Sequence, residues 1–556
     1  MTDALDSGVC NIAAALPRMA RLQAQTLAVV FPTGHDPDGR RTYSQLTYQQ
    51  LDEQSDSIAR GLRAYGLTRG MRTVLMVKPS LEFFALTFAL FKAGIVPVMI
   101  DPGLGLKQLK TCLAEVEPEA FIGIPAAHAA RILLGWGRHT IRHLVTVGRR
   151  WGWGGVTLAQ ATSQGVGSGS FLEDTQANET AAILFTSGST GIAKGVVYSH
   201  GNFMAQVELI RQTYAIQPGE IDLPTFPLFA LFDPALGMTT IVPDMDFTRP
   251  AKVDPEKIKA AIEDWGVTNV FASPALLNTV GRHGVEHSVR WPTVKRILSA
   301  GAPVPAVTLE RMQQMLPAGA EIFTPYGATE SLPVANISSR EILSGTRHLT
   351  EQGAGVCVGH VVPPNDVRII EITDNALTDW SQVREMPVGE IGEITVLGPT
   401  VTAAYFGRPE ATRLAKIDRH GKTVHRMGDV GYFDAQGRLW FCGRKSHRVE
   451  LAGKVLFSAP VEEIFNTHAA VFRSALVGVM IKNVRVPVLC IELDPEANAT
   501  QSEQELFASM IKLGENFAPT RGITHFLIHP GFPVDIRHNA KIGREILTVW
   551  AQERLS

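Results

Sequence analysis

Three times along the chain a short, β-rich apolar run ends abruptly in small residues: AAILFTSGST from Ala181, VTNVFASP from Val267 and VKRILSAGAP from Val294. Apolar runs of this kind suit interior strands of a parallel sheet covered on both faces, and their ends are where such sheets carry ligand-bearing loops. Helical patterns lie between and before them. Residues 47–66 place apolar side chains at helical spacing with Gly66 as a stop, residues 73–77 read as a strand, Leu81–Lys92 as a buried helix, and VPVMIDPG from Val96 as a strand closing on a Pro-Gly turn. This βαβ rhythm predicts an α/β body. A chain of 556 residues exceeds one ordinary core, so at least two domains are expected. The Gly/Ser-rich stretch 161–169 reads as a flexible surface loop, GDVGYFDAQGRLWFCG at 428–443 as a hairpin, and the tail beyond it, of roughly 110 residues, has the size of a small separate domain.

The chemistry concentrates where the strands end. TSGSTGIAKG, residues 186–195, follows the strand AAILF directly, and seven of its ten residues are Gly, Ser or Thr. Glycines let backbone approach an anion, hydroxyls donate to phosphate oxygens, and Lys194 adds positive charge, so the segment is suited to hold phosphate. It lacks the Gly before and the Ser or Thr after the lysine that a Walker A loop requires. YGATE, residues 326–330, offers an aromatic plane, a close-approach glycine, a hydroxyl and a carboxylate to a nucleotide, although a packed Tyr and a solvated Glu explain it equally well. Gly428-Asp429 and Gly443-Arg444 flank the expected hairpin, so Asp429 and Arg444 can converge either on a polar ligand such as a ribose diol or simply on each other.

Composition narrows the remaining choices. Lys plus Arg total 52 against 54 for Asp plus Glu, a net charge of −2 that gives no general attraction to nucleic acid. The five cysteines, at 10, 112, 357, 442 and 490, include no CxxC pair, which suits a reducing cytoplasm better than a disulfide or metal framework. The start MTDALDSGVC lacks the basic opening of a secretory signal. The most apolar run, 83–100, is broken by Lys92, Gly94 and Pro97, so no integral membrane segment is expected.

Taken in order, TSGSTGIAKG, SAGAP, YGATE, GDVGYFD, GRK and the late segment containing Lys541 resemble the ANL superfamily of adenylate-forming enzymes, which includes acyl-CoA synthetases, luciferases and peptide-synthetase adenylation domains. LTYQQLDEQSDSIARGL and LFKAGIVPVMIDP resemble that superfamily's upstream segments, so the likeness spans nearly the whole chain. It implies a large multi-subdomain N-terminal domain, 1–445, and a small mobile C-terminal α+β domain, 446–556, turning about a hinge near Ser446. It further implies ATP and Mg²⁺ as cofactors. Thr186, Ser187, Gly188, Ser189, Thr190, Gly191 and Lys194 would hold the phosphates; Gly301, Ala302, Tyr326 and Gly327 would surround the nucleotide base. Thr329 would meet the α-phosphate, Glu330 the metal, Asp429 and Arg444 the ribose, and Lys541 the reacting oxygens. His200, in SHGN, would touch substrate or support the loop.

Departures from the pattern bear on the second half-reaction. After GRK many CoA-forming relatives read roughly D-x-I-K-x-x-G, whereas this chain reads SHRVELAG, with Ser446 at the hinge and Glu450 where a lysine is common. The usual S-G-K near the end is Asn539-Ala540-Lys541, and Ala230 in FPLFALFDPALG stands where a histidine is frequent. This variant most resembles the β-lactone synthetases of bacterial long-chain olefin biosynthesis. The implied reaction activates a 2-alkyl-3-hydroxy fatty acid with ATP and closes a β-lactone by attack of its own 3-hydroxyl, with residues 226–238 as a wall for the alkyl chain and an assembly with neighbouring pathway enzymes as a possible setting. The competing readings are a long-chain acyl-CoA or acyl-carrier ligase and an adenylate-binding regulatory protein.

Overall fold

The computed structural model describes residues 10–186, 193–494, 502–534 and 541–555. The βαβ rhythm becomes a seven-stranded sheet, ordered Val156–Thr157, His143–Thr146, Ala120–Gly123, Arg72–Met76, Val96–Ile100, Thr180–Thr186, Lys194–Ser199. All neighbours are parallel except the last pair, which runs antiparallel with Thr186 opposite Lys194. The helix Tyr48–Ala64 starts where Thr47 and Gln50 form a capping box, and Leu81–Lys92 starts on a Ser80 cap. Lys92 ends the second helix fully buried, its ammonium 2.5 Å from Asp52 and 2.6 Å from Asp56, which is how a charge survives inside an otherwise apolar run.

VTNVFASP and VKRILSAGAP supply Asn269–Ala272 and Arg296–Ser299, two central strands of a second seven-stranded sheet. A third, antiparallel sheet contains Tyr326–Ala328, Ser331–Asn336, Lys422–Phe433 and Leu439–Arg444. The last two form the expected hairpin. Beyond it come the short hairpin Val449–Leu451 with Lys454–Leu456, and then a three-stranded sheet, Val471–Ile481, Val484–Leu493 and His525–Ile528, with a core of its own covered by Ser458–Phe465 and Glu503–Glu515. A large N-terminal part and a small α+β C-terminal part are thus both present.

The Gly/Ser-rich stretch 161–169 differs from the flexible loop expected of it. Its first residues belong to the helix Leu158–Gln164, opened by a Thr157–Gln160 capping box. Ala161 is fully buried against Gly61, where an added Cβ would lie 2.3 Å from the Ala161 carbonyl oxygen. A cap and one tight helix crossing override the composition.

Candidate active site

The hairpin register sets Asp429 directly opposite Arg444, with Arg444 Nη1 3.0 Å from Asp429 Oδ1. The Tyr326 hydroxyl donates to the other carboxylate oxygen at 2.7 Å, so the YGATE tyrosine and the hairpin pair form one cluster. Asp429 is 3% exposed, and its Oδ1 is held by the Arg444 ion pair alone, with no aligned hydrogen bond among the described residues. An oxygen with lone-pair capacity to spare beside a guanidinium suits a ligand hydroxyl, as a ribose offers. Burial pushes the Asp429 carboxyl up, while Arg444, the Tyr326 hydroxyl and the Lys541 ammonium pull against it. Lys541 therefore acts on this cluster from the C-terminal part of the chain.

Thr329 and Glu330 lie in the tight turn between Tyr326–Ala328 and Ser331–Asn336. Gly327 is required beside it, because a Cβ there would come within 2.8 Å of Leu332 Cβ and the Ser331 carbonyl. Long-range contacts fix the turn: the Tyr198 hydroxyl donates to the Thr329 carbonyl, and the Thr402 amide donates to the Glu330 carbonyl at 2.9 Å. The Tyr405 hydroxyl donates to Glu330 Oε1 at 2.6 Å, and Lys194 Nζ sits 4.8 Å from the centre of the Tyr405 ring. One tyrosine thus joins the end of the phosphate-type loop to the acid.

Burial pushes the Glu330 carboxyl up, but His425, the Tyr405 hydroxyl and Lys416 outweigh it and leave it below the usual range. The His425 ring, 2% exposed, is itself pushed down to about 3 by burial and by Lys416. At neutral pH that ring is uncharged, which leaves the Tyr405 hydroxyl as the direct hydrogen-bond donor to the Glu330 carboxylate. Lys416, 9% exposed, is pushed down to about 7 by burial, with Glu330 opposing the shift. Tyr198, Tyr405, Lys416 and His425 were not singled out from sequence; a tyrosine ending an apolar strand reads as core until its distant partner is known.

Other expected residues fall less centrally. Ser187, Gly188, Ser189, Thr190 and Gly191 lie outside the described residues, and Thr186 is described as the end of its strand. Gly301, at φ 100°, and Ala302 follow the C-terminal end of Arg296–Ser299, where a parallel strand presents ligand contacts. His200 begins the helix His200–Tyr214 at 1% exposure, and its Nδ1 accepts the Ile12 amide at 3.2 Å. Burial pushes it down to about 4.

Segment 226–238 forms two one-turn helices, Pro227–Ala230 and Asp233–Leu236. Ala230, Ala235, Leu236 and Met238 are buried, whereas Phe226, Phe229 and Phe232 are only partly so. Phe229 stacks on Phe271 at 3.8 Å, and Phe232 leads through Phe203 to Tyr198 at centroid separations of 6.2 and 4.6 Å. The aromatic face thereby reaches the turn that carries Thr329. Beneath it Asp222 and Asp233 form a buried carboxyl pair, with Thr240 Oγ1 donating to Asp233 at 3.0 Å.

The segment after GRK is pinned on both sides. Lys445 Nζ donates to the Thr373 carbonyl at 2.8 Å and to Glu393 at 3.1 Å. Arg448 pairs with Asp374 at 2.7 Å and with Glu450 at 2.8 Å. The anion that stands where relatives often carry lysine therefore orients an arginine toward the N-terminal part. Between them the half-buried His447 carries a largely covered ring, pushed down to about 3 by burial and by Arg544 and Arg444.

Comparison with known proteins identifies the family. Residues 16–406 match the family described as AMP-binding enzyme. The chain is 54% identical to the olefin β-lactone synthetase of Xanthomonas campestris pv. campestris over 552 residues, covering 98% of both chains. It is also 54% identical to the olefin β-lactone synthetase of Stenotrophomonas maltophilia, over 98% of this chain and 99% of that one. The 2-succinylbenzoate–CoA ligase of Bacillus cereus is 25% identical over 78% of this chain and 80% of its own length. Among solved structures, the amide bond synthetase of Marinactinospora thermotolerans superimposes with a TM-score of 0.79 at 21% identity, covering 97% of this chain and 99% of that one. The O-succinylbenzoate coenzyme A synthetase of Bacillus subtilis in complex with AMP does so at 0.74 and 21%, covering 96% and 97%. With the matched family over most of its length and the fold of adenylate-forming enzymes throughout, the chain belongs to the AMP-binding enzymes of the ANL superfamily.

Proposed function

We propose that this enzyme activates a 2-alkyl-3-hydroxy fatty acid with ATP and closes it to a β-lactone, releasing pyrophosphate and then AMP. The observation that carries this reading is the 54% identity to two olefin β-lactone synthetases over nearly the whole chain. In the first step a carboxylate oxygen bonds to the α-phosphorus and the bond to the β-phosphate oxygen breaks, which brings negative charges together. Mg²⁺ carried with the nucleotide would offset that charge when bound, and the ionised Glu330 is the carboxylate suited to hold it. Lys194 and Residues 186–191 take the phosphates, Asp429 and Arg444 the ribose, Gly301, Ala302, Tyr326 and Gly327 the base, and Thr329 the α-phosphate. Lys541 stands by the reacting oxygens, a role supported by its charge acting on Asp429.

In the second step the substrate's 3-hydroxyl oxygen bonds to the acyl carbon, the acyl–phosphate bond breaks, AMP leaves with the electron pair, and the hydroxyl proton is released. No thiol enters. Closing a four-membered ring is strained, so the site must hold the hydroxyl in an attacking pose, and such positioning contributes up to about 7–11 kcal/mol in favourable intramolecular cases. The aromatic face of 226–238 takes the alkyl chain. Domains of 1–445 and 446–556 meet near Ser446, and the Arg448–Asp374–Glu450 arrangement favours the adenylation orientation, in keeping with a second step that needs no pantetheine channel. The setting is cytoplasmic, alongside the enzymes that supply and consume these acids. Matched acids with and without the 3-hydroxyl test the reading. Both should release pyrophosphate in a single turnover, and only the hydroxy acid should release AMP rapidly; equal AMP release from both would remove the hydroxyl from the mechanism.

A further inference from the structure

From Ala120 to Leu172 the chain contains no Asp or Glu, yet it carries Arg131, Arg138, Arg142, Arg149 and Arg150, in a protein whose net charge is −2. The fold gathers this stretch at one edge of the first sheet, on the strands Ala120–Gly123, His143–Thr146 and Val156–Thr157 and the helix Pro125–Leu134. None of the five arginines pairs with a carboxylate among the described residues, and Arg138, Arg142, Arg149 and Arg150 are exposed. Large apolar side chains stand among them: Leu133 is 83% exposed, Trp151 60% and Ile132 51%.

The tryptophan part of this surface rests on buried neighbours. Trp153 stacks on the buried His128 at 5.2 Å and donates its indole N–H to Thr146 Oγ1 at 3.0 Å. Trp151 rests on Trp153 at 5.5 Å, and Ile132 lies one helical turn beyond His128 on the same helix face. The result is a strip of indole and aliphatic surface flanked by guanidinium groups that pair with no carboxylate among the described residues.

We propose that this edge docks on an anionic lipid surface. Tryptophan and arginine are the side chains that suit a headgroup layer, the indole by its amphipathic ring and the guanidinium by a charge carried on an apolar stem. A stretch with five arginines and no acid of its own, the neighbouring Glu119 lying beside Arg142, complements negative phospholipid, and the exposed leucine, isoleucine and tryptophan supply the apolar insertion that charge alone lacks. No helix among the described residues is long and apolar enough to cross a membrane, so the contact is peripheral. The proposal concerns location and stands apart from the chemistry of the site.

Co-sedimentation of the full-length enzyme with phosphatidylcholine vesicles, with and without phosphatidylglycerol, tests it. Binding should require the anionic lipid and should collapse between about 0.1 M and about 1 M salt, as the screening length contracts from about 10 Å to about 3 Å. The Arg149→Gln/Arg150→Gln variant should partition about 30-fold more weakly. Leu133→Ser/Trp151→Ser should weaken binding as well, through lost insertion. Both variants should turn over detergent-dispersed substrate as the parent does, which verifies their fold. A parent protein that stays in the supernatant, or variants that bind vesicles equally well, would overturn the proposal; so would binding to an acidic protein without binding to vesicles.

Discussion

The proposed reaction gives Lys541 and Glu330 different parts of the same electrostatic task, and their removal should be distinguishable. Lys541→Ala removes the charge proposed for the reacting oxygens and should lower pyrophosphate release by about 10²–10³-fold while nucleotide still binds. Near-parental release from a folded variant would take Lys541 out of the chemistry. Glu330→Gln keeps the acceptor for Tyr405 but loses the anion beside Lys416. Turnover should fall, with a steeper demand for Mg²⁺; an unchanged Mg²⁺ dependence would place the metal on phosphates and water alone. A third residue-level outcome concerns stability. Burial pushes the Asp222 carboxyl up, and burial together with Asp222 raises Asp233 further. In the folded state these groups keep protons that the unfolded chain sheds above the ordinary carboxyl range. Their contribution is therefore complete at acid pH and is lost as pH rises through the folded-state values. Thermal unfolding of Asp222→Asn should consequently decline less between about pH 5 and about pH 8 than that of the parent, and parallel profiles would mean that the pair does not titrate there.

At the scale of elements, what was legible in the sequence was what is local. Leu81–Lys92 is bounded by a Ser80 cap and a following glycine, and Asp429 meets Arg444 because two turn-flanked strands leave few registers. The contacts that shape the turn at Thr329 and Glu330 join residues 131 and 75 positions apart, through Tyr198 and Tyr405, and no periodicity announces such a meeting. The helix Leu158–Gln164 was hidden for the opposite reason, since its local composition points to a loop and its stability comes from packing on Gly61. The segment after GRK was legible as a departure but not as a contact. Asp374 is 68% exposed, so its bond to Arg448 is worth no more than about 1 kcal/mol, enough to shift an orientation equilibrium by about fivefold. Arg448→Ala and Asp374→Ala should each slow pyrophosphate release by about that factor, and the double variant should be no slower than either single one. Additive losses would show that the two residues act separately.

Across the whole molecule, the proposed reaction asks three sheets and a small C-terminal part to bring a nucleotide's phosphates, ribose and acyl partner together, with the Lys541 charge felt at Asp429 from the chain's end. Shared fold leaves the acceptor open, because relatives with this architecture include CoA ligases and an amide bond synthetase. The acceptor is what sets the present reading apart. Incubating the enzyme with ATP, Mg²⁺ and a 2-alkyl-3-hydroxy fatty acid, with and without CoA, and identifying the product by mass spectrometry tests it most directly. The account predicts a β-lactone, AMP and pyrophosphate at the same rate whether or not CoA is present, whereas strict dependence on CoA with a thioester as the main product would contradict it.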